Sequence, residues 1–300
     1  MRFSVPLPQL AGDDVATFAR RAEELGFDGF WTLDSAVAGR TAHDPMLDGL
    51  QLLSYVAAIT KTPTLGVAVI VLPRRNAALL AKELATVDQL SGGRVVAGVG
   101  LGVSDGSEAA LGFPTDRHVR RMTETVKAMR AFWTQEEASF DGELLSFSGV
   151  RIQPKPVATL PIWFGGAHPN AIRRAARLAD GWIGAGSQAT AAVLDQLRLL
   201  REQLEQAGRD PDVFPTAKRV YISVEADEQT ARDKLTPILD GMYGAPGLTD
   251  RVAVCGTAEQ VAEGIRPLID AGVGEILLHF LHESSEQLEA AAEVRRLLLG

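Results

Sequence analysis

Four short stretches of the chain combine residue types that could bind or transform a small molecule. In "GGAHPNAIRRAA", Gly165 and Gly166 lead into His168 and Pro169. Glycine lets backbone N–H groups come close to a ligand, and proline fits the first turn of a helix, whose N-terminus attracts anions. In "GAGS", Ala185 and Gly186 precede Ser187, which is placed to cap the next helix. Two helix N-termini meeting at one spot would hold a phosphate, although glycines also end strands and serines also cap helices with no ligand at all. The third stretch is Asp34-Ser35, close to Trp31. Asp34 reads equally as a helix cap and as a group that hydrogen-bonds a ligand or handles its proton. In the fourth, "SGGRVVAGVGLG", Gly98, Gly100 and Gly102 alternate after a short β-run, as in a dinucleotide fingerprint. That fingerprint opens directly into a helix. Here "VSDGSEAALGFPTDRH" intervenes before the next helical pattern begins near Asp116, so the glycines read as backbone clearance instead.

Other chemistry-bearing residues carry less. His279 and His282 are spaced HxxH without an accompanying carboxylate pattern, and no metal site is assigned to them. His43 and His118 fall in loop or helix-entry segments and read as solvent-facing. Lys218 comes at the beginning of a strand, the wrong end for a barrel Schiff base, which weighs against an aldolase. Cys255 is the only cysteine; it excludes an internal disulfide and reads as a small buried residue.

Residues this scattered need a scaffold that collects them. Strand patterns fall at residues 2–7, 28–33, 64–70, 94–99, 161–165, 181–184, 218–224 and 274–279. Helical spacing fills the intervals: 13–25, 46–60, 76–90, 116–134, 169–179, 188–207, 228–242 with 257–270, and 284–299. The first helix has Asp13 as its expected N-cap and Gly26 as its stop. Strict alternation of strand and helix implies right-handed crossovers and a parallel sheet. Eight such units predict a closed (β/α)₈ TIM barrel with insertion loops at its C-terminal face, the face on which barrel active sites are built. The longest gap, between the fourth and fifth strands, contains "FDGELLSFSGVRIQPKP", an expected surface hairpin turning at Asp141-Gly142. Nothing in the composition marks a linker, so residues 1–300 are expected to form one domain.

The composition, 46% hydrophobic and 23% charged, is that of a globular protein with a large core rather than a disordered or fibrous chain. A net charge of −8 with scattered basic residues argues against nucleic acid or an anionic membrane as partner. The longest apolar run, Leu65 to Leu72, falls well short of a membrane span, and the N-terminus has no secretory pattern. A cytoplasmic enzyme acting on a small molecule is the expectation.

The segments "GFDGFWTLDS", "LGVAVIVLP", "LSGGRVVAGVGLG", "ALGFPTDRHVRRMTETVKAMRAFWT", "FDGELLSFSGVRIQPKPVATLPIWFGGAHPNAIRRAARLADGW" and "CGTAEQVAEGIRPLIDAGVGEILLHF" stand in an order that resembles the bacterial luciferase-like oxidoreductases over nearly the whole chain. The resemblance implies a barrel that binds a flavin or deazaflavin mononucleotide at its mouth, and a homodimer. The "GGAHPNAIRRAARLADGW" version is more similar to the branch using coenzyme F420 than to the FMN monooxygenases. It further implies a bulge in the third strand with a non-prolyl cis peptide at Ala68-Val69, against which the ring lies together with Gly100 and Gly102. Gly165, Gly166, His168, Ala185, Gly186 and Ser187 would hold the phosphate, and Asp34 would stand near the ring. The chain departs from the family at two places. Ser35 follows Asp34 where many deazaflavin members have histidine, and Val103 stands where relatives often carry glutamate or an aromatic residue.

The leading expectation is hydride transfer between F420 and a small organic substrate, with Asp34 and Ser35 as the candidate catalytic pair. The alternatives are an FMN-dependent monooxygenase using oxygen, a coenzyme binder that has lost its chemistry, and a sugar-phosphate isomerase or lyase. The last lacks a well-placed base. The choice of substrate is expected to lie in the loops at 34–48, 101–117 and 241–252.

Overall fold

In a computed structural model describing residues 1–10, 12–34, 46–102, 107–114 and 116–300, every expected strand and helix is present. The strands are β1 (Arg2–Pro6), β2 (Gly29–Thr32), β3 (Thr64–Val71), β4 (Val95–Gly100), β5 (Ala138–Asp141), β6 (Ser146–Val150), β7 (Ile162–Gly165), β8 (Gly181–Gly184), β9 (Thr216–Val224), β10 (Ala253–Gly256) and β11 (Glu275–His279). The helices are α1 (Val15–Glu24), α2 (Gly49–Ile59), α3 (Ala77–Ser91), α4 (Ser107–Ala110), α5 (His118–Thr134), α6 (Pro169–Leu178), α7 (Thr190–Gln206), α8 (Glu228–Tyr243), α9 (Leu248–Val252), α10 (Ala258–Asp270) and α11 (Ser284–Leu299).

Eight parallel strands close in the order β1-β2-β3-β4-β7-β8-β9-β11 and back to β1, the (β/α)₈ barrel expected from the alternation. The antiparallel pair β5–β6 is the expected hairpin. Unanticipated was β10, which runs parallel to β9 along Tyr221–Val224, beyond the Thr216–Lys218 stretch that pairs with β8. Its four residues, Ala-Val-Cys-Gly, are too few to show a strand period.

Side-chain alternation builds two cores from the same strands. Phe30, Leu65, Ile162, Trp182 and Ile276 face the helices, whereas Trp31, Val96, Trp163, Ile183, Ala217 and Leu277 fill the barrel interior. Both faces are therefore covered, which explains why these strands read as near-continuous apolar runs. Each large side chain so buried contributes roughly 1.5–3 kcal/mol. Inside the barrel the rings of Trp31 and Trp163 lie 5.8 Å apart, and the Trp31 indole N–H donates to the buried Glu275 carboxylate at 2.8 Å. That bond fixes the ring as the interior floor.

Most local signals hold. Gly26 has φ +80° just after α1, as a helix stop requires, but the N-cap is Asp14 rather than Asp13. Asp14 accepts from the Thr17 N–H at 3.0 Å, while Asp13 turns back to the Leu10 N–H at 2.8 Å.

Candidate active site

A cavity of about 450 Å³ opens at the C-terminal ends of β3, β4, β7, β8 and β9. Its floor is the end of β3, where the register against β4 shifts between Val67 and Ile70 and the Ala68-Val69 peptide is cis. This bulge is tied down at both ends. The Arg219 guanidinium donates to the Ala68 carbonyl, and the Val71 N–H donates to Asp34 at 2.9 Å. Asp34 also pairs with Arg75. Burial works against charge on Arg75, yet the Asp34 carboxylate outweighs it and raises the guanidinium above its ordinary value. With both oxygens so engaged, Asp34 does not line this cavity, and the cap of α2 is Asp48. Ser35 and Val103 lie outside the described residues.

Gly100, Gly102, Gly165 and Gly166 all line the cavity, and the reason two of them are glycine is Val69. A Cβ at Gly100 or at Gly165 would come within 2.7 Å of the Val69 side chain. The clearance read from the sequence is real, but it accommodates a side chain of β3. Gly166, with φ +139°, also has Ala171 only 2.9 Å from where a Cβ would stand. Just beyond it, His168 caps α6, its Nδ1 accepting from the Asn170 N–H at 3.1 Å, and Pro169 opens the helix as expected.

The second helix N-terminus is not where the sequence suggested. Ala185 and Gly186 line the cavity, but Ser187 does not and caps nothing. The chain makes a turn closed by the Gln188 N–H on the Ala185 carbonyl at 3.3 Å, and α7 begins only at Thr190, with Ala189 as an N-cap that offers no side-chain bond. Gly186 serves its neighbours, since a Cβ there would meet the Tyr221 ring at 2.6 Å and Arg219 at 3.0 Å.

The polar lining residues that escaped the sequence reading are Arg174, Arg219 and Tyr243. Arg174 stands on α6 beyond His168, and its Nε is buried with no hydrogen-bond partner among the described residues; burial lowers its proton affinity. Arg219 follows Ala217 by two residues and so shares its inward face; a charged residue inside a buried strand was the available signal. Tyr243 ends α8, and its hydroxyl lies 2.9 Å from that of Tyr221; burial raises its pKa. Lys218 points to the other face of β9, where its ammonium donates to the carbonyls of Ala185 at 2.7 Å and Arg219 at 2.5 Å. Burial, and secondarily the Arg219 charge, bring Lys218 down to about 7. Glu225, His282 and Glu283 gather near one another, but the Lys234 ammonium binds both carboxylates, at 2.9 and 2.7 Å.

A closed parallel barrel whose cavity opens beyond the strand ends, with an apolar floor and two guanidinium groups, belongs to the class of barrel enzymes. The family model for luciferase-like monooxygenases matches residues 5–275, and the chain belongs to that family of oxidoreductases. It is 32% identical over 228 residues to an F420-dependent glucose-6-phosphate dehydrogenase of Nakamurella multipartita, covering 74% of this chain and 67% of that protein. It is 27% identical over 238 residues to a 5,10-methylenetetrahydromethanopterin reductase of Archaeoglobus fulgidus, covering 78% of this chain and 67% of that one. Among solved structures, an F420-dependent secondary alcohol dehydrogenase bound to an F420–acetone adduct superposes with a TM-score of 0.88 at 20% identity, over 99% of this chain and 98% of that one. Monooxygenase RslO1 from Streptomyces bottropensis gives 0.84 at 23%, over the whole of both chains. These two likenesses support the barrel fold.

Proposed function

We propose that the chain binds coenzyme F420 in the cavity over β3 and transfers a hydride between it and a small organic substrate. The observation that carries this reading is one cavity offering both an apolar seat, Ala68, Val69 and Ile183, and a buried guanidinium nitrogen without a partner, on Arg174. A flat ring ending in a phosphate fits both features, and the volume is that of an ordinary cofactor site. The relatives named for F420 support the choice of coenzyme.

When bound, F420 supplies the ring carbon that gives or accepts the hydride. The chain's own residues position it. Arg219 and Asp34 hold the two ends of the β3 bulge in place, so Asp34 acts as a positioning residue. Gly100 and Gly102 line the ring side. The phosphate goes to Arg174, with Gly165, Gly166 and His168 at the head of α6 and Ala185 and Gly186 beside them. We read all 300 residues as one barrel domain, working as a cytoplasmic homodimer. In support of the dimer, Tyr55 on α2 and Leu79 on the adjacent α3 are 51% and 64% exposed. No described helix is long and apolar enough to cross a membrane.

Fluorescence titration of the purified protein with F420 and with FMN tests the reading. F420 is expected to bind in the micromolar range, about −8 kcal/mol, and FMN far more weakly. Binding of FMN alone, with oxygen uptake on supplying reduced FMN, would replace the reading with a monooxygenase. Binding of neither below about millimolar would end it.

A further inference from the structure

A second cavity, of about 400 Å³, lies at the same mouth beyond β1, β2 and β11, under α8. Its walls are apolar: Leu7, Leu10, Leu33, Ile238, Phe280 and Leu281 all contribute. The Trp31 ring lines it as well, held from below by Glu275. Gln9 reaches this wall but is used up internally, donating to the Leu33 and Leu47 carbonyls and accepting from the Leu33 N–H. Among the described residues no lysine or arginine lines it, and the one charged group that does is Asp13. The two cavities are neighbours. Met242 and Tyr243, consecutive at the end of α8, line the second and the first respectively, and Trp31 packs in the interior cluster that includes Ala68 and Val69.

One proton-handling side chain lines this apolar chamber from inside the barrel. His279, at the end of β11, is 5% exposed and packs edge-on against Tyr221 at 5.1 Å, with ring planes at 74°. Its Nδ1 is buried and, among the described residues, without a partner, which leaves Nε2 as the nitrogen available to a molecule in the chamber. Burial, and then the charge on Arg219, keep the imidazole neutral at ordinary pH. Among the described residues that line the chamber, His279 is the only histidine.

We propose that this chamber binds the substrate, that the substrate is an uncharged, largely apolar alcohol or its ketone, and that His279 is the catalytic acid–base. The inference rests on the F420 reading. In oxidation, the carbinol C–H bond breaks and both electrons leave with the hydride to the coenzyme, while the O–H proton passes to His279 Nε2. The alcohol would become a ketone as its two electrons go to the bound coenzyme, and the His279 imidazolium would then return its proton to water; reduction would run the same steps backwards. An amine substrate would arrive as a cation and a sugar phosphate as an anion. Among the described residues, the lining offers neither a buried partner of opposite charge.

Protein labelled with carbon-13 in its histidine rings, free of coenzyme, is titrated with cyclohexanone and with glucose 6-phosphate. The His279 resonance is expected to move with cyclohexanone, saturating in the millimolar range, and to stay put with glucose 6-phosphate. A response to the sugar phosphate, or none to the ketone, overturns the substrate class whatever the coenzyme titration gives. Ile238→Trp, which fills the chamber, should abolish the ketone response and leave F420 affinity within about threefold, or about 0.65 kcal/mol. With F420 bound, a panel of secondary alcohols is assayed; absence of turnover across the panel despite coenzyme binding also overturns the class. For the best alcohol, His279→Gln should lower kcat about a hundredfold or more with KM nearly unchanged. An unchanged kcat removes His279 from the role.

Discussion

Where β3, β7 and β8 end, the mouth of the barrel is walled by glycines and two arginines; where β1, β2 and β11 end, it is walled by leucines, a tryptophan and a histidine. The first wall is shaped by close backbone approach. Val69 can lie between Gly100 and Gly165 only because neither has a side chain. The second wall is shaped by ordinary apolar side chains, which tolerate exchange so long as volume and polarity are kept. The difference separates a seat that must match one fixed coenzyme from a chamber that can be refitted to different substrates. It also explains why, among the described residues, the lining arginines lie on one side only. On the proposed function, an anionic phosphate pairs with the Arg174 guanidinium, whereas a neutral substrate is best served by a surface that makes no demand for charge.

Substitutions can break or sharpen that contrast. The largest effect is expected from Gly98→Val. A Cβ there would lie 2.1 Å from the Val67 carbonyl oxygen and 2.9 Å from Ile183, so the backbone just below the seat must move. A loss of ~3 kcal/mol or more is expected in denaturant unfolding, while Ile238→Trp on the other wall should stay within about 1 kcal/mol. Equal losses would mean that the two walls are not built differently. Next comes Arg174→Gln. The affinity for F420 should fall about tenfold, close to 1.4 kcal/mol, and the affinity for the deazaflavin riboside lacking phosphate should hold. If both fall together, the guanidinium is not the phosphate partner. The smallest effect concerns Lys218, behind the coenzyme wall. Its pKa of about 7 in the folded chain lies below its ordinary 10.5, so the unfolded chain binds the additional proton between those values. The penalty for burying the charge is complete below about pH 7 and lifts as pH rises towards 10.5. The melting temperature of the parent protein relative to Lys218→Met is therefore expected to rise by a few degrees from pH 6.5 to pH 9. A flat difference would contradict it.

The barrel was legible because its signals are local and repeated: an apolar helical stripe, a glycine stop, then a short β-run. Asp13 and Asp14 show the limit of that reading, since both can cap a helix and only the path of the chain decides which one does. At the site, glycine reported a close approach but not its partner. Gly100 and Gly165 look the same in sequence whether they clear a ring or the Val69 side chain. Ser187 was misplaced as a cap because a three-residue turn before α7 leaves no trace in residue type. Arg174 and Arg219 stayed hidden for a related reason. A charged side chain says nothing of which face it will occupy until the strand register and the helix rotation are fixed. His279 was visible, but only as half of an HxxH pair. Its partner, His282, instead turns to the Ser223 hydroxyl at 3.0 Å.

The reach of Arg219 to the Ala68 carbonyl bears on how steady the site is. The same guanidinium lowers the proton affinity of Lys218 and of His279, so one permanent cation discourages two others from forming around it. The group that pins the strand-three seat therefore also helps keep protons off two basic neighbours, so tying down the backbone and limiting the positive charge at the barrel mouth are one side chain's work.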